Sequence, residues 1–281
     1  MIVRSMFIDT ADNNYLVARW CFHNDLLNDF YWNALHALEK YLKSILLLNG
    51  KSAKANRNHN LSNLLDKAHK ITGNLIPVNR KLFVSDETNP IMRNKETLKE
   101  FIKRLDEFGN AENRYNVFGI EQMPTDLFKL DTCAFYLRRL VLSLNKIPQH
   151  AIPENRDKSF KQILEEDQKL IIEWGKSALS KRLKNSESLF EIFYQSNVAF
   201  SHYAPDNFEH KPYSIKFSLT APALSNLGSH DLSMEKTANI ETKRELCCWV
   251  KANIQLSKSV EKEIEEQIES YTKHLEGISL P

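Results

Sequence analysis

Residues 30–48 read FYWNALHALEKYLKSILLL, and this stretch decides the fold class. Apolar residues fall at 34, 38, 41, 45 and 48, and a second row falls at 31, 35, 42 and 46. Steps of three and four are the period of an α-helix. Two such rows cover most of the circumference, which predicts a central helix packed on several sides. A polar stripe of Asn33, His36, Lys40 and Lys43 interrupts the apolar surface. Asn49-Gly50 then supplies a C-terminal stop.

The same periodicity extends in both directions. A first helix is expected over about Asn13 to Asn28. After a polar loop, Asn60 is placed to cap a helix over Leu61–Ile71. Residues 72–94 read as irregular, Lys95–Phe108 as a helix ended by Gly109, and Thr125 or Asp126 as the start of a helix through Leu144. Lys146–Asp157, with Pro148 and Pro153, reads as an interdomain connection. Beyond it, helices are expected over Phe160–Leu183 and Ser188–Phe200. Tyr213–Leu219 alternates as a strand does. One long helix is expected over Glu241–His274, with Leu246, Trp249, Val250, Leu256, Val260, Ile264 and Tyr271 on one face. The expected chain is all-α, with a helical bundle in residues 1–146 and a mainly helical domain in 158–281 carrying one small β element.

Composition narrows the chemistry. The 281 residues include seven glycines, the closest two ten positions apart, so no Gly-rich phosphate loop is present. Gly50, Gly73, Gly109 and Gly277 each fall at the end of an expected helix, where a left-handed residue is wanted. Four cysteines form no C-x-x-C pair and no two histidines lie three or four apart, so no structural metal or cofactor is expected. Reduced thiols and the lack of a signal-peptide pattern suggest a cytoplasmic protein. The longest aliphatic run, Ile45–Leu48, is too short for a membrane span. A net charge of +2 is too small to mark a nucleic-acid footprint by itself.

Three elements in order carry a family resemblance. They are Tyr15-Leu-Val-Ala-Arg19, then Asn33-Ala-Leu-His-Ala-Leu-Glu-Lys-Tyr-Leu-Lys43, then His59-Asn-Leu61 opening the next helix. Ala34, Ala37, Glu39, Lys40, Leu42 and Lys43 match the form A-x-x-A-x-E-K-x-L-K. Arg114-Tyr115 stands where an Arg-Tyr pair often precedes the last helix. Residues 10–146 thereby resemble a HEPN domain. The resemblance implies a four- or five-helix bundle, dimerisation through helices, and either of two activities. Many such domains are metal-independent endoribonucleases in toxin–antitoxin, defence or RNA-processing systems, with an Arg-x(4–6)-His motif at a dimer cleft. Others bind nucleotide or a protein partner, often a nucleotidyltransferase.

The ribonuclease motif is missing. No histidine has an arginine five to seven residues upstream; Arg19 precedes His23 by four. The nearest degenerate form is Ser196-Asn197 through Ser201-His202. A 2′-hydroxyl attack needs a proton shuttle, which histidine supplies, and a cation for the phosphorane charge, which serine or asparagine cannot replace. The expected function is therefore binding of nucleotide, RNA or a protein partner without strong catalysis. The alternative is metal-independent cleavage at a dimer cleft by a nonstandard set such as Arg57 with His59 or Arg114 with His202, with Asn197 as a further catalytic candidate. Binding candidates are His36, Lys40, Lys43, Arg57, His59, Arg114 and Tyr115. The polar stripe of Asn33, His36, Lys40 and Lys43 also reads as an exposed helix face with Glu39 and Lys43 as an i,i+4 pair. Arg57-Asn58-His59 also reads as a loop anchor before a helix N-terminus, a place that favours anions.

Overall fold

The period of residues 30–48 is realised as α2, Leu27–Leu48, in the computed structural model of the chain. The structure describes residues 2–54, 60–82, 96–111, 113, 119–123, 125–149, 153–167, 218–220, 237–254, 256 and 258–277. Among these the chain is all-α, with eight α-helices and two three-residue strands. The strands, β1 (Ile120–Gln122) and β2 (Ser218–Thr220), pair with each other. The strand expected over 213–219 thus falls at its C-terminal end; residues 213–217 lie outside the described residues.

The described residues belong to two compact units, Met1–Ala111 with Glu121–Leu219, and Glu112–Ile120 with Thr220–Pro281. In the first, α1 (Asp9–His23) follows a π-helical turn, Arg4–Ile8. Asp25 closes α1 in the left-handed region at φ 57°, while Leu26 N donates to Cys21 O at 2.9 Å. This tight reversal lays α2 antiparallel to α1. Phe22 meets Phe30 at one end (5.2 Å between centroids), and Tyr41 donates to Asp12 at the other (2.7 Å).

Local signals set the next helices. Asn60 caps α3 (Leu61–Thr72) by accepting from Asn63 N at 2.7 Å. Thr97 and Glu100 form a capping box at the start of α4 (Leu98–Phe108). Gly109 ends α4, but its φ of −94° is not left-handed. A Cβ there would lie 2.4 Å from Tyr31 O, so glycine is required by the close approach of α4 to α2 rather than by its own dihedrals.

Two expectations need correcting in this unit. The helix expected from 125 to 144 is shorter, ending at Arg138 as α5 (Asp126–Arg138). The following segment is held instead by Asn49 at the end of α2, which donates to Leu142 O at 2.9 Å and accepts from Leu144 N at 2.9 Å. The helix α6 (Phe160–Glu166), expected to open a second domain, is tied back to the first bundle. Phe160 N donates to Lys146 O at 3.0 Å and Lys161 N to Leu144 O at 2.8 Å. Residues 168–200, with the rest of that expected helix and the next one, lie outside the described residues.

In the second unit, the single helix expected over 241–274 is two helices, α7 (Thr237–Asn253) and α8 (Lys258–Leu275). The break lets them fold onto each other and bury Ile240, Cys247, Val250, Val260, Ile264 and Tyr271 together. Leu246 and Trp249, expected on the buried face, are exposed, because the hairpin selects the face that carries Ile240 and Cys247. Glu261, Glu263, Glu265, Glu266 and Glu269 form a solvated face of α8.

Candidate functional site

Helical spacing brings His36, Lys40 and Lys43 onto one face of α2, as their i, i+4 and i+7 positions require. Each is partly buried. Beneath them sits Glu39, only 3% exposed. Its two oxygens are shared: Lys43 Nζ donates to Oε1 at 2.6 Å, and His36 Nδ1 lies 3.2 Å from Oε2. The Glu39–Lys43 pair is therefore made, but around a buried carboxylate rather than on an exposed face.

Lys40 is bonded differently. Its ammonium donates to the neutral side chain of Asn14 on α1, at 2.5 Å. Asn14 in turn donates to Asn33 Oδ1 at 2.9 Å, and Asn33 Nδ2 donates to Asp29 O at 2.8 Å. Among the described residues no carboxylate lies within ion-pair distance of Lys40. Burial lowers the pKa of Lys40; Glu39 opposes this through space and Lys43 adds to it. Trp32, one turn before His36, meets its imidazole edge-on, with ring centroids 4.3 Å apart. The face therefore runs from an aromatic ring, through an imidazole, to an ammonium held by an amide. Glu39 is bonded to Lys43 and acts on Lys40 only through space.

The remaining site candidates, Arg57, His59, Arg114, Tyr115, Asn197 and His202, lie outside the described residues. The helix end that follows Arg57 and His59 is described, and it is occupied. The Asp106 carboxylate of α4 accepts from Leu61 N (2.8 Å), Ser62 N (3.0 Å) and the Ser62 hydroxyl (2.9 Å). Burial nonetheless raises the Asp106 pKa against these bonds. The N-terminus of α3 already holds its anion, so its backbone does not form a phosphate cradle. The one arginine–histidine neighbour pair in the described bundle is also committed. Arg19 is fully buried and bonded to Asp131, which also accepts from Tyr15 at 2.6 Å. His23 is pushed down to about 4 by burial and by Arg19.

The sequence reading passed over this buried network. Every residue of α5 is buried, including Asp126, Lys129, Asp131 and Arg138. Each charge meets a partner from another segment. Asp126 takes bonds from Tyr31 (2.6 Å) and from Arg104 (2.6 and 3.0 Å). Lys129 donates to Glu96 at 2.8 Å, and Arg138 grips Asp12 at 2.9 and 3.2 Å. Burial works against the carboxylates of Glu96 and Asp126, but Arg104 and Lys129 outweigh it and hold both pKa values below the usual range. These groups are satisfied by one another, which is the pattern of structure rather than of a reactive centre.

Elsewhere, Ile2, Val3, Ile8, Leu48, Val141 and Leu142 wall an open apolar groove of about 540 Å³ that shares no residue with the α2 face. Among the described residues no cluster of three or more His, Cys, Asp or Glu is placed to hold a metal, and no helix is long and apolar enough to cross a membrane. Comparison with known proteins finds no matching family, no matching curated protein and no matching solved structure.

Proposed function

We propose that this chain is a HEPN-like helical module that binds nucleotide or RNA without cleaving it, through the α2 face of His36, Lys40 and Lys43. The observation that carries the reading is Lys40, a half-buried ammonium whose partner is a neutral amide. A partly buried cation with no carboxylate bonded to it is stabilised by an incoming anion, and phosphate is the anion that the resemblance implies. The order of Tyr15–Arg19, Asn33–Lys43 and His59–Leu61, together with an all-α bundle, supports the family part of the reading.

The absence of an Arg-x(4–6)-His motif favours binding over cleavage, and the commitment of Arg19 to Asp131 removes the nearest substitute among the described residues. Two measurements test the proposal. Thermal-shift screening with nucleoside mono- and triphosphates should raise the melting temperature, and a labelled RNA should bind in low salt without being shortened. A flat response to all nucleotides and to RNA would refute it and leave a protein partner as the remaining role. Metal-free cleavage of the RNA would replace it with the endoribonuclease reading.

A further inference from the structure

We infer that Asn49 is a self-modifying latch: deamidation at Asn49-Gly50, through attack of the Gly50 nitrogen on the Asn49 side chain, releases the segment that follows α5. Two observations meet here. Asn49-Gly50 is the one Asn-Gly pair in the sequence. The same Asn49 side chain ties the end of α2 to a distant part of the chain. Its Nδ2 donates to Ile45 O at 2.8 Å and to Leu142 O at 2.9 Å, and its Oδ1 accepts from Leu144 N at 2.9 Å. Leu144 O in turn accepts from Lys161 N at 2.8 Å, so α6 is held through the same anchor.

Glycine makes this peptide reactive, because no side chain shields its nitrogen and its backbone turns freely. Gly50 is exposed, sits at φ 71° and has nothing within 4 Å of where a Cβ would lie. Its nitrogen attacks Asn49 Cγ. The N–Cγ bond forms, the Cγ–Nδ2 bond breaks, and Nδ2 leaves as ammonia with the proton that Gly50 N gives up. Water then opens the cyclic imide at either carbonyl, giving aspartate or isoaspartate. The net change is one water taken up and one ammonia lost. The folded chain holds this reaction back. Gly50 N donates to Leu47 O at 3.2 Å, and the leaving Nδ2 is bonded to two carbonyls. Reaction therefore proceeds from a locally opened state. Once made, the product cannot close the latch. A carboxylate has no hydrogen for Ile45 O or Leu142 O, and it puts negative charge at the C-terminal end of α2, where the helix dipole opposes it. Isoaspartate also adds a carbon to the main chain at the helix cap. The freed segment carries Val141 and Leu142, which with Leu48 wall the apolar groove, so the modification opens that groove as well.

The test begins with peptide mapping of the full chain after incubation in alkaline buffer. Mass spectrometry should place the gain of exchanging NH for O at Asn49, about tenfold or more slowly in the folded chain than in the urea-unfolded chain. Leu144→Ala, which loosens the far side of the latch, should speed the folded reaction and leave the unfolded rate unchanged. Asn49→Asp should mimic the product. Its amides in 141–146 and α6 should show faster hydrogen exchange, with α1 and α5 protected as before. Lower pH should narrow its melting-temperature gap to the wild type, because a protonated carboxyl regains a donor. Should Asn49→Asp fail to fold, the deamidated fraction of aged wild-type protein, separated by ion exchange, takes its place in the exchange measurement. Equal rates in the folded and unfolded chains, no conversion of Asn49 in the folded chain while other asparagines convert, or unchanged protection of 141–146 in the variant would each overturn the inference.

Discussion

Gly109 shows how much one hydrogen atom in place of a side chain can decide. Its backbone is ordinary, yet a methyl group there would press on the carbonyl of Tyr31 at 2.4 Å and on Leu35 Cβ at 2.9 Å. Neither neighbour is the free end of a side chain, so the helices must part. Gly109→Ala should destabilise the protein by about 1–3 kcal/mol in a urea titration, the range for overpacking a tight contact. His23 poses a different question, because two effects oppose each other. Its place in the last turn of α1 favours the protonated ring, while burial and the Arg19 charge favour the neutral one. Burial wins, and the folded pKa drops from 6.5 to about 4. The unfolded chain therefore takes up a proton below pH 6.5 that the folded chain refuses until about pH 4. Stability from this residue is complete above that window and falls as the pH drops through it. His23→Gln should flatten the dependence between pH 6.5 and 4 by about 1–2 kcal/mol, allowing for solvent screening, as read from urea midpoints of the two proteins.

Among the elements, α5 explains most about what holds the bundle together. It carries two acidic and two basic side chains that are buried and matched to other segments: Asp131 and Arg138 to α1, Asp126 to α2 and α4, and Lys129 to Glu96 just ahead of α4. Removing one member of such a pair leaves the other buried and unmatched. Asp131→Asn should cost about 3–5 kcal/mol, whereas the double change Arg19→Met with Asp131→Leu should cost much less, a comparison that a double-mutant cycle makes directly. The pairing also explains why the complete burial of α5 was hard to foresee. Its helix was expected from local signals, but its charge partners lie far away in the chain: Arg19 is 112 positions from Asp131, and Asp12 is 126 from Arg138. Signals of local origin were legible. The period of α2, the Asn60 cap and the stop at Gly50 were read from neighbouring residues, because caps and turns are made by neighbours. The α2 stripe was legible for the same reason. Asn14, which turns Lys40 from a surface cation into an anchored one, was not, since it comes from another helix.

At the level of the whole molecule, the two units differ in how much core each owns. The first buries every residue of α5, while α7 and α8 share six buried residues among those described. The ion pair Lys251–Glu265 that bridges the hairpin is exposed at both ends, so it adds little to hold the helices together. Among the described residues the hairpin rests on the apolar cluster of Ile240, Cys247, Val250, Val260, Ile264 and Tyr271. Segments with few buried contacts open locally at lower free energy than the global transition. Hydrogen exchange should therefore show amides in 237–277 exchanging faster than those of α2 and α5. Ile264→Ala removes a side chain whose burial is nearly complete, at a cost of about 2–4 kcal/mol. That is enough to unfold a small hairpin without touching the larger core. Its exchange signature should be confined to 237–277, with α2 and α5 protected as before. Loss of protection throughout both units would mean that the hairpin and the bundle fold as one cooperative body.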